Sequence, residues 1–254
     1  MDIFLREAGD SVPVHFVTES TLPTWKDTLT GAQAKWLDVN HFSGQSGQVC
    51  CVPDEQGDMV CAVCVQPAAG HVRTWMKQVA SLPAGCYHLL RPSGLSDSRW
   101  FNLHLYWALA QYQFSRYKKH SAQKHRQLCV PLDVDYQVLL DVQQPLCRAR
   151  DLINTPNEDL HPQALSEVVR ALGEQHGANV TVIEGDALLE QGFPTVHRVG
   201  RAGNRLPCFI EMNWGERSHP HLVLVGKGVC FDTGGINLKN AAGMRYMKKD
   251  MGGA

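Results

Sequence analysis

A chain of 254 residues with 44% hydrophobic and 19% charged side chains is long enough to bury a sizeable core and has the composition of a soluble folded protein. Its 24 basic and 25 acidic residues leave a formal charge of -1, so no overall field draws it to nucleic acid or to an anionic membrane. The first fourteen residues carry Asp2, Arg6, Glu7 and Asp10 where a secretory leader has an apolar run, and no later stretch reaches the roughly 18 apolar residues of a membrane helix, so a cytoplasmic protein with no membrane partner is expected.

Residues 1–132 read as a first α/β domain. Apolar strand candidates lie at Val14–Thr18, Gln48–Pro53, Met59–Val65 and Cys86–Leu90, bounded by turn-forming residues. A helix fits Gly31–Phe42. A longer one fits Ser96–Tyr117, where Leu103, Trp107, Ala110, Phe114 and Tyr117 recur at helical spacing. The nine cysteines are odd in number and scattered, which suits buried thiols in a reducing compartment better than a disulfide framework. Cys61 and Cys64 form a C-x-x-C inside an apolar strand, where residues three apart face opposite sides, so they read as core and not as a metal knuckle. The basic run Arg116–Arg126 reads as a solvated helix end at a domain boundary, in preference to a nucleic-acid patch.

Residues 133–254 read as a second domain. A helix carrying Val138, Val142, Leu146 and Ile153 on one side should close at Asn154-Thr155-Pro156-Asn157. The next begins at Pro162, whose missing N–H costs nothing in a first turn, shows an apolar stripe at Leu165, Val168, Val169 and Leu172, and ends at Gly173 or Gly177. Strands at Asn179–Ile183, Cys208–Asn213 and His221–Val225, with a short helix at Asp186–Gln191, complete an alternation that predicts a mixed sheet flanked by helices.

The last segment, LVLVGKGVCFDTGGINLKNAAGMRYMKKDMGGA, carries the chemistry. Lys227 and Asp232 stand among apolar neighbours that would desolvate them, and Gly234-Gly235 permit a sharp turn before Lys239 and Asp250. Lys227, Asp232, Lys239 and Asp250 thus fall within 24 residues. Carboxylate oxygen suits a hard or borderline divalent cation, and a lysine can join it only as the neutral amine, a rare arrangement that makes the pattern specific. The bland alternative is a buried ion-pair network in an ordinary strand, turn and helix. Asp232-Thr233-Gly234 also resembles half of an aspartic-protease dyad, but that explains neither lysine and has no second copy in the chain. Gly226-Lys227-Gly228 lacks the spacing of a phosphate loop.

VGKGVCFDTGGINLK and MKKDMGGA resemble the metal-binding signature of the leucyl (cytosol) aminopeptidase family. RARDLINTPNEDLHPQAL resembles that family's entry to its catalytic domain, and WALAQYQFSRYK the end of its N-terminal domain. The resemblance implies an N-terminal α/β domain followed by the first part of an α/β catalytic domain. It implies two divalent ions, zinc or manganese, with Lys227, Asp232 and Asp250 as ligands and Asp232 bridging, Lys239 as a catalytic residue and Met247 as a wall of the substrate pocket; by itself Met247 reads equally as core packing. Peptides would be trimmed from the amino end, and the full-length protein would be a homo-oligomer, a hexamer in that family. Cys230, Thr233 and His161 depart from the family pattern without removing a ligand. The family's second Asp, bridging Glu and Arg do not occur after Asp250, so the chain is expected to be an inactive fragment. The rival expectation is a non-catalytic pseudoenzyme that binds a partner protein or nucleic acid through its first domain and the Arg116–Arg126 run.

Overall fold

The computed structural model describes residues 3–6, 9–66, 78–118, 125–230 and 238–254. The chain divides into two compact units, Met1–Cys147 and Arg148–Ala254.

The first unit is built on a six-stranded mixed sheet of β1 (Phe4–Leu5), β2 (Val12–Val17), β3 (Val49–Pro53), β4 (Met59–Val65), β5 (Gly85–Leu89) and β6 (Arg126–Cys129), in the order β1-β6-β5-β2-β4-β3. Neighbours run parallel except β3, which pairs antiparallel with β4 across a turn where the Asp54 carboxylate accepts from the amides of Gln56 and Asp58, both at 2.9 Å. Alternation along the strands feeds two cores. On one face Val14, Ala62, Cys64, Tyr87 and Leu128 meet Trp100, Leu103 and Trp107 of helix α3 (Asp97–Ala110). On the other, Val17, Cys50, Cys61, Val63 and Val65 meet Leu22 of α1 (Leu22–Lys26) and Leu37 of α2 (Gly31–Val39). Cys61 and Cys64 therefore face opposite sides, and burial pushes their thiols up to about 11 and about 12, as packing residues require.

Helix α3 stops at Ala110, short of the expected Tyr117, because the next side chain is diverted to the sheet. Gln111 is buried, and its amide donates to the Arg126 carbonyl and accepts from the Arg126 N–H, each at 2.9 Å, pairing with β6 as a neighbouring strand would. The expectation of a solvated basic helix end is corrected at its far end: Arg126 lies in β6, and its guanidinium bonds the carbonyls of Ala80 and Leu82. Residues 119–124 of that run lie outside the described residues.

Helix α4 (Tyr136–Asn154) gives Leu139 to the first core and Leu152 and Ile153 to a cluster in the second unit. In that unit α5 (Pro162–His176) packs on the antiparallel pair β7 (Asn179–Glu184) and β8 (Cys208–Asn213), with α6 (Ala187–Glu190) and α7 (Pro194–Gly200) between the strands. His161 caps α5: its Nδ1 accepts from the Ala164 amide at 3.3 Å, so the departure from Ser or Thr keeps the cap. Gly177 ends the helix with φ 67°, a left-handed conformation that glycine adopts without strain. Thr155 stacks back on the end of α4 through its hydroxyl to Asp151 O, 2.7 Å, as the breaker cluster predicts.

One expected strand does not form. Residues 221–225 pair with no strand among the described residues, and Leu222, Val223, Leu224 and Val225 are 78–93% exposed. An apolar run makes a strand only when a neighbour accepts its backbone, and here none does. β1, β6, α1 and α7 carry too few periodic apolar residues to stand out in the sequence.

Candidate metal centre

The site elements all belong to the second unit. Gly226-Lys227-Gly228 runs beside the backbone of Gly252–Ala254, so close that a Cβ at position 226 would overlap the Gly253 carbonyl oxygen. Glycine is the residue that lets the two backbones approach. The approach brings Lys227 to Asp250, in the 3-10 helix Met247–Met251: Lys227 Nζ donates to the Asp250 carbonyl oxygen at 3.0 Å and lies 3.9 Å from Asp250 Oδ2. These two residues, 23 apart in sequence, thus lie side by side.

Two apolar anchors hold the flanks. Cys230, two residues before Asp232, and Met251, next to Asp250, are buried in one cluster with Leu160 and Leu165, so the chain enters and leaves the site from a common point. Burial raises the Cys230 thiol pKa, in keeping with its place in this apolar cluster. The anchoring by Met251 and the close approach at Gly226 were not read from the sequence, because neither has a signal until the two segments are seen side by side.

The other candidates stand as follows. Asp232 lies outside the described residues, as does the Gly234-Gly235 turn. Lys239 is exposed, one residue before Asn240, whose side chain caps α8 (Ala241–Arg245) by accepting from the Gly243 amide at 2.7 Å. Met247 opens the 3-10 helix and is half-buried; with three residues per turn it shares a side of that helix with Asp250. The expected desolvation of Lys227 is corrected: its side chain is 61% exposed and that of Asp250 35%, because the preceding apolar run covers neither.

An amine and a carboxylate within 4 Å, one of them on a backbone fixed by glycine contact, are a donor pair of the kind a borderline divalent cation takes. Among the described residues there is no group of three or more His, Cys, Asp or Glu that could hold a metal ion. No helix among the described residues is long and apolar enough to cross a membrane.

Comparison with known proteins accounts for both units. Residues 12–131 match the model of the M17 aminopeptidase N-terminal domain and residues 147–254 that of the cytosol aminopeptidase family catalytic domain. A probable cytosol aminopeptidase of Rhodococcus jostii is 39% identical over 115 residues, 44% of this chain and 23% of that protein. The crystal structure of a cytosol aminopeptidase from Coxiella burnetii superposes with a TM-score of 0.90 at 33% identity, over 100% of this chain and 55% of that one. The bottromycin maturation enzyme BotP, in complex with Mn, superposes with a TM-score of 0.72 at 25% identity over 96% of this chain and 53% of its own. The chain thus spans about half the length of the solved chains it matches. Two family models that leave only short stretches unmatched, on a fold shared from end to end with a cytosol aminopeptidase, establish that this chain belongs to the M17 cytosol aminopeptidase family.

Proposed function

We propose that the chain carries the amino-terminal domain and the first half of the metal site of a cytoplasmic aminopeptidase that releases N-terminal residues, leucine among them, from peptides, and that it works as a homo-oligomer. The observation that carries this reading is the meeting of Lys227 with Asp250 inside the segment matched by the catalytic-domain model. Lys227, Asp232 and Asp250 are the proposed ligands of two divalent ions, zinc or manganese; a similar structure, BotP, was solved in complex with Mn. Such ions, when bound, polarise a peptide carbonyl and lower the pKa of a water.

The chain's own residues have distinct parts. Asp250 offers a carboxylate oxygen, and Lys227 an amine that must be neutral to use its lone pair for an ion and can still donate an N–H to the Asp250 carbonyl. The proposed part of Lys239 is to stabilise an oxygen that becomes negative as the peptide bond is attacked. Met247, half-buried on the Asp250 side of the 3-10 helix, offers an apolar wall to a leucine-sized side chain.

Manganese uptake followed by electron paramagnetic resonance tests the assignment. Loss of the free-ion signal is expected with the unaltered chain. Asp250→Asn should weaken uptake at least about tenfold, which is ~1.4 kcal/mol, whereas Lys239→Ala should leave it unchanged. Equal uptake by the unaltered chain and Asp250→Asn would overturn the proposal.

A further inference from the structure

Cys86 of β5 and Cys129 of β6 hold their sulfurs 3.7 Å apart, although 43 residues separate them in sequence. The two strands run parallel, with Tyr87 beside Leu128 and His88 beside Cys129. Side chains alternate along a strand, so Cys86, His88 and Cys129 share one face of the sheet, while Tyr87 and Leu128 point to the other, where they are buried with α3. On the cysteines' face α1 and α2 pack against β2, β3 and β4, and among the described residues that cluster takes nothing from β5 or β6. Cys86 and Cys129 are accordingly half-buried, whereas Cys50, Cys61 and Cys64 on β3 and β4 are buried. A small reagent can thus reach two thiols that already touch. His88 Nδ1 lies 2.9 Å from Ser11 Oγ, and among the described residues the pair joins no group of three metal-ligating side chains, so its chemistry is that of a dithiol and not of a metal site.

We propose that Cys86 and Cys129 are an oxidisable dithiol, a modification site at which a low-molecular-weight disulfide closes a reversible bond between β5 and β6. One cysteine, as thiolate, attacks a sulfur of the small disulfide, forms a mixed disulfide with it and expels one small thiolate. The second cysteine, as thiolate, attacks the protein sulfur of that mixed disulfide, which forms the Cys86–Cys129 bond and expels the other half. The two expelled thiolates take up the two protons that the cysteines gave away. The protein loses two electrons, and the small disulfide is reduced to two thiols. The contact at 3.7 Å makes the second attack a short-range intramolecular step, which separates this pair from a single reactive cysteine. In a compartment buffered by a small thiol the pair stays reduced, and it closes as the oxidised form of that thiol accumulates. Helix α3, which lies between the two cysteines in sequence, is then enclosed in a covalent loop.

Incubation of the chain with excess oxidised glutathione, followed by acid quenching and a count of free thiols in denaturant, tests the proposal. The reaction is run at about pH 8.5, because burial and the adjacent Cys129 sulfur push the Cys86 thiol up to about 11 and its thiolate is scarcer at neutral pH. Seven free thiols are expected, two fewer than the chain's nine, with a cross-linked peptide pair containing Cys86 and Cys129 by mass spectrometry and all nine thiols restored by dithiothreitol. Cys86→Ser and Cys129→Ser, each keeping the circular dichroism of the unaltered chain, should abolish the cross-link and carry one glutathione on the remaining partner. Cys208→Ser, at a half-buried thiol of the second unit, should form the cross-link as the unaltered chain does. Nine free thiols after incubation, glutathione on both cysteines without a cross-link, or a cross-link between other cysteines would each overturn the proposal.

Discussion

His104 sits fully buried in α3 with its Nδ1–H donated to the Trp100 carbonyl at 2.9 Å, and its Nε2 meets no partner among the described residues. Burial lowers its pKa from 6.5, against weaker opposing pulls from the Trp100 carbonyl and Asp133, so the folded chain resists a proton that the unfolded chain takes up. The group's full stability is present above about pH 6.5 and falls as pH drops from there to the lowered folded pKa. His15, lowered by burial and by the nearby His88, acts in the same direction. In His104→Phe, urea unfolding across pH 7 to 5 should show a shallower loss of stability, by at most ~1.4 kcal/mol per pH unit; an unchanged slope would refute the assignment. Residue chemistry of this sort is poorly legible in sequence, since His104 differs from the exposed histidines only in its surroundings. The same holds at the metal centre. Lys227 and Asp250 were singled out through the family resemblance, whereas the exposure of Lys227 could not be read from the residues themselves.

At the level of elements, the legible ones were those whose bounds are set by their own residues. Met59–Val65 and Cys208–Asn213 form with the bounds their apolar patterns predict, and helix α5 starts at Pro162 and is capped by Gly177, one of its two expected stops. Where an end depends on a contact outside the element, the pattern misleads: α3 ends early because Gln111 bonds Arg126, and His221–Val225 pairs with no strand among the described residues. The cap of α5 is a local feature that can be tested by itself. His161→Ala should cost about 1 kcal/mol, and His161→Ser should recover most of it, because either Nδ1 or a hydroxyl can accept the Ala164 amide. The midpoint of urea unfolding reads the difference. Equal midpoints for His161→Ala and the unaltered chain would show that the ring contributes nothing as a cap.

For the whole molecule, the family assignment rests on matches to both units. Three proposed donors, Lys227, Asp232 and Asp250, are too few for two ions that each take at least about four ligands. The chain alone should therefore release no chelator-sensitive leucine from a leucyl anilide, and robust release abolished by EDTA would show that three donors suffice. Beneath that lies the claim that Lys227 and Asp250 share a cation. The most direct measurement is a crystal structure of the chain grown with manganese, read by anomalous scattering at the manganese edge. A peak is expected roughly 2.0–2.3 Å from Lys227 Nζ and from a carboxylate oxygen of Asp250, the lysine having released the Asp250 carboxylate to the ion. An anomalous map with no peak there, and Lys227 still paired directly with Asp250 at saturating manganese, would contradict it.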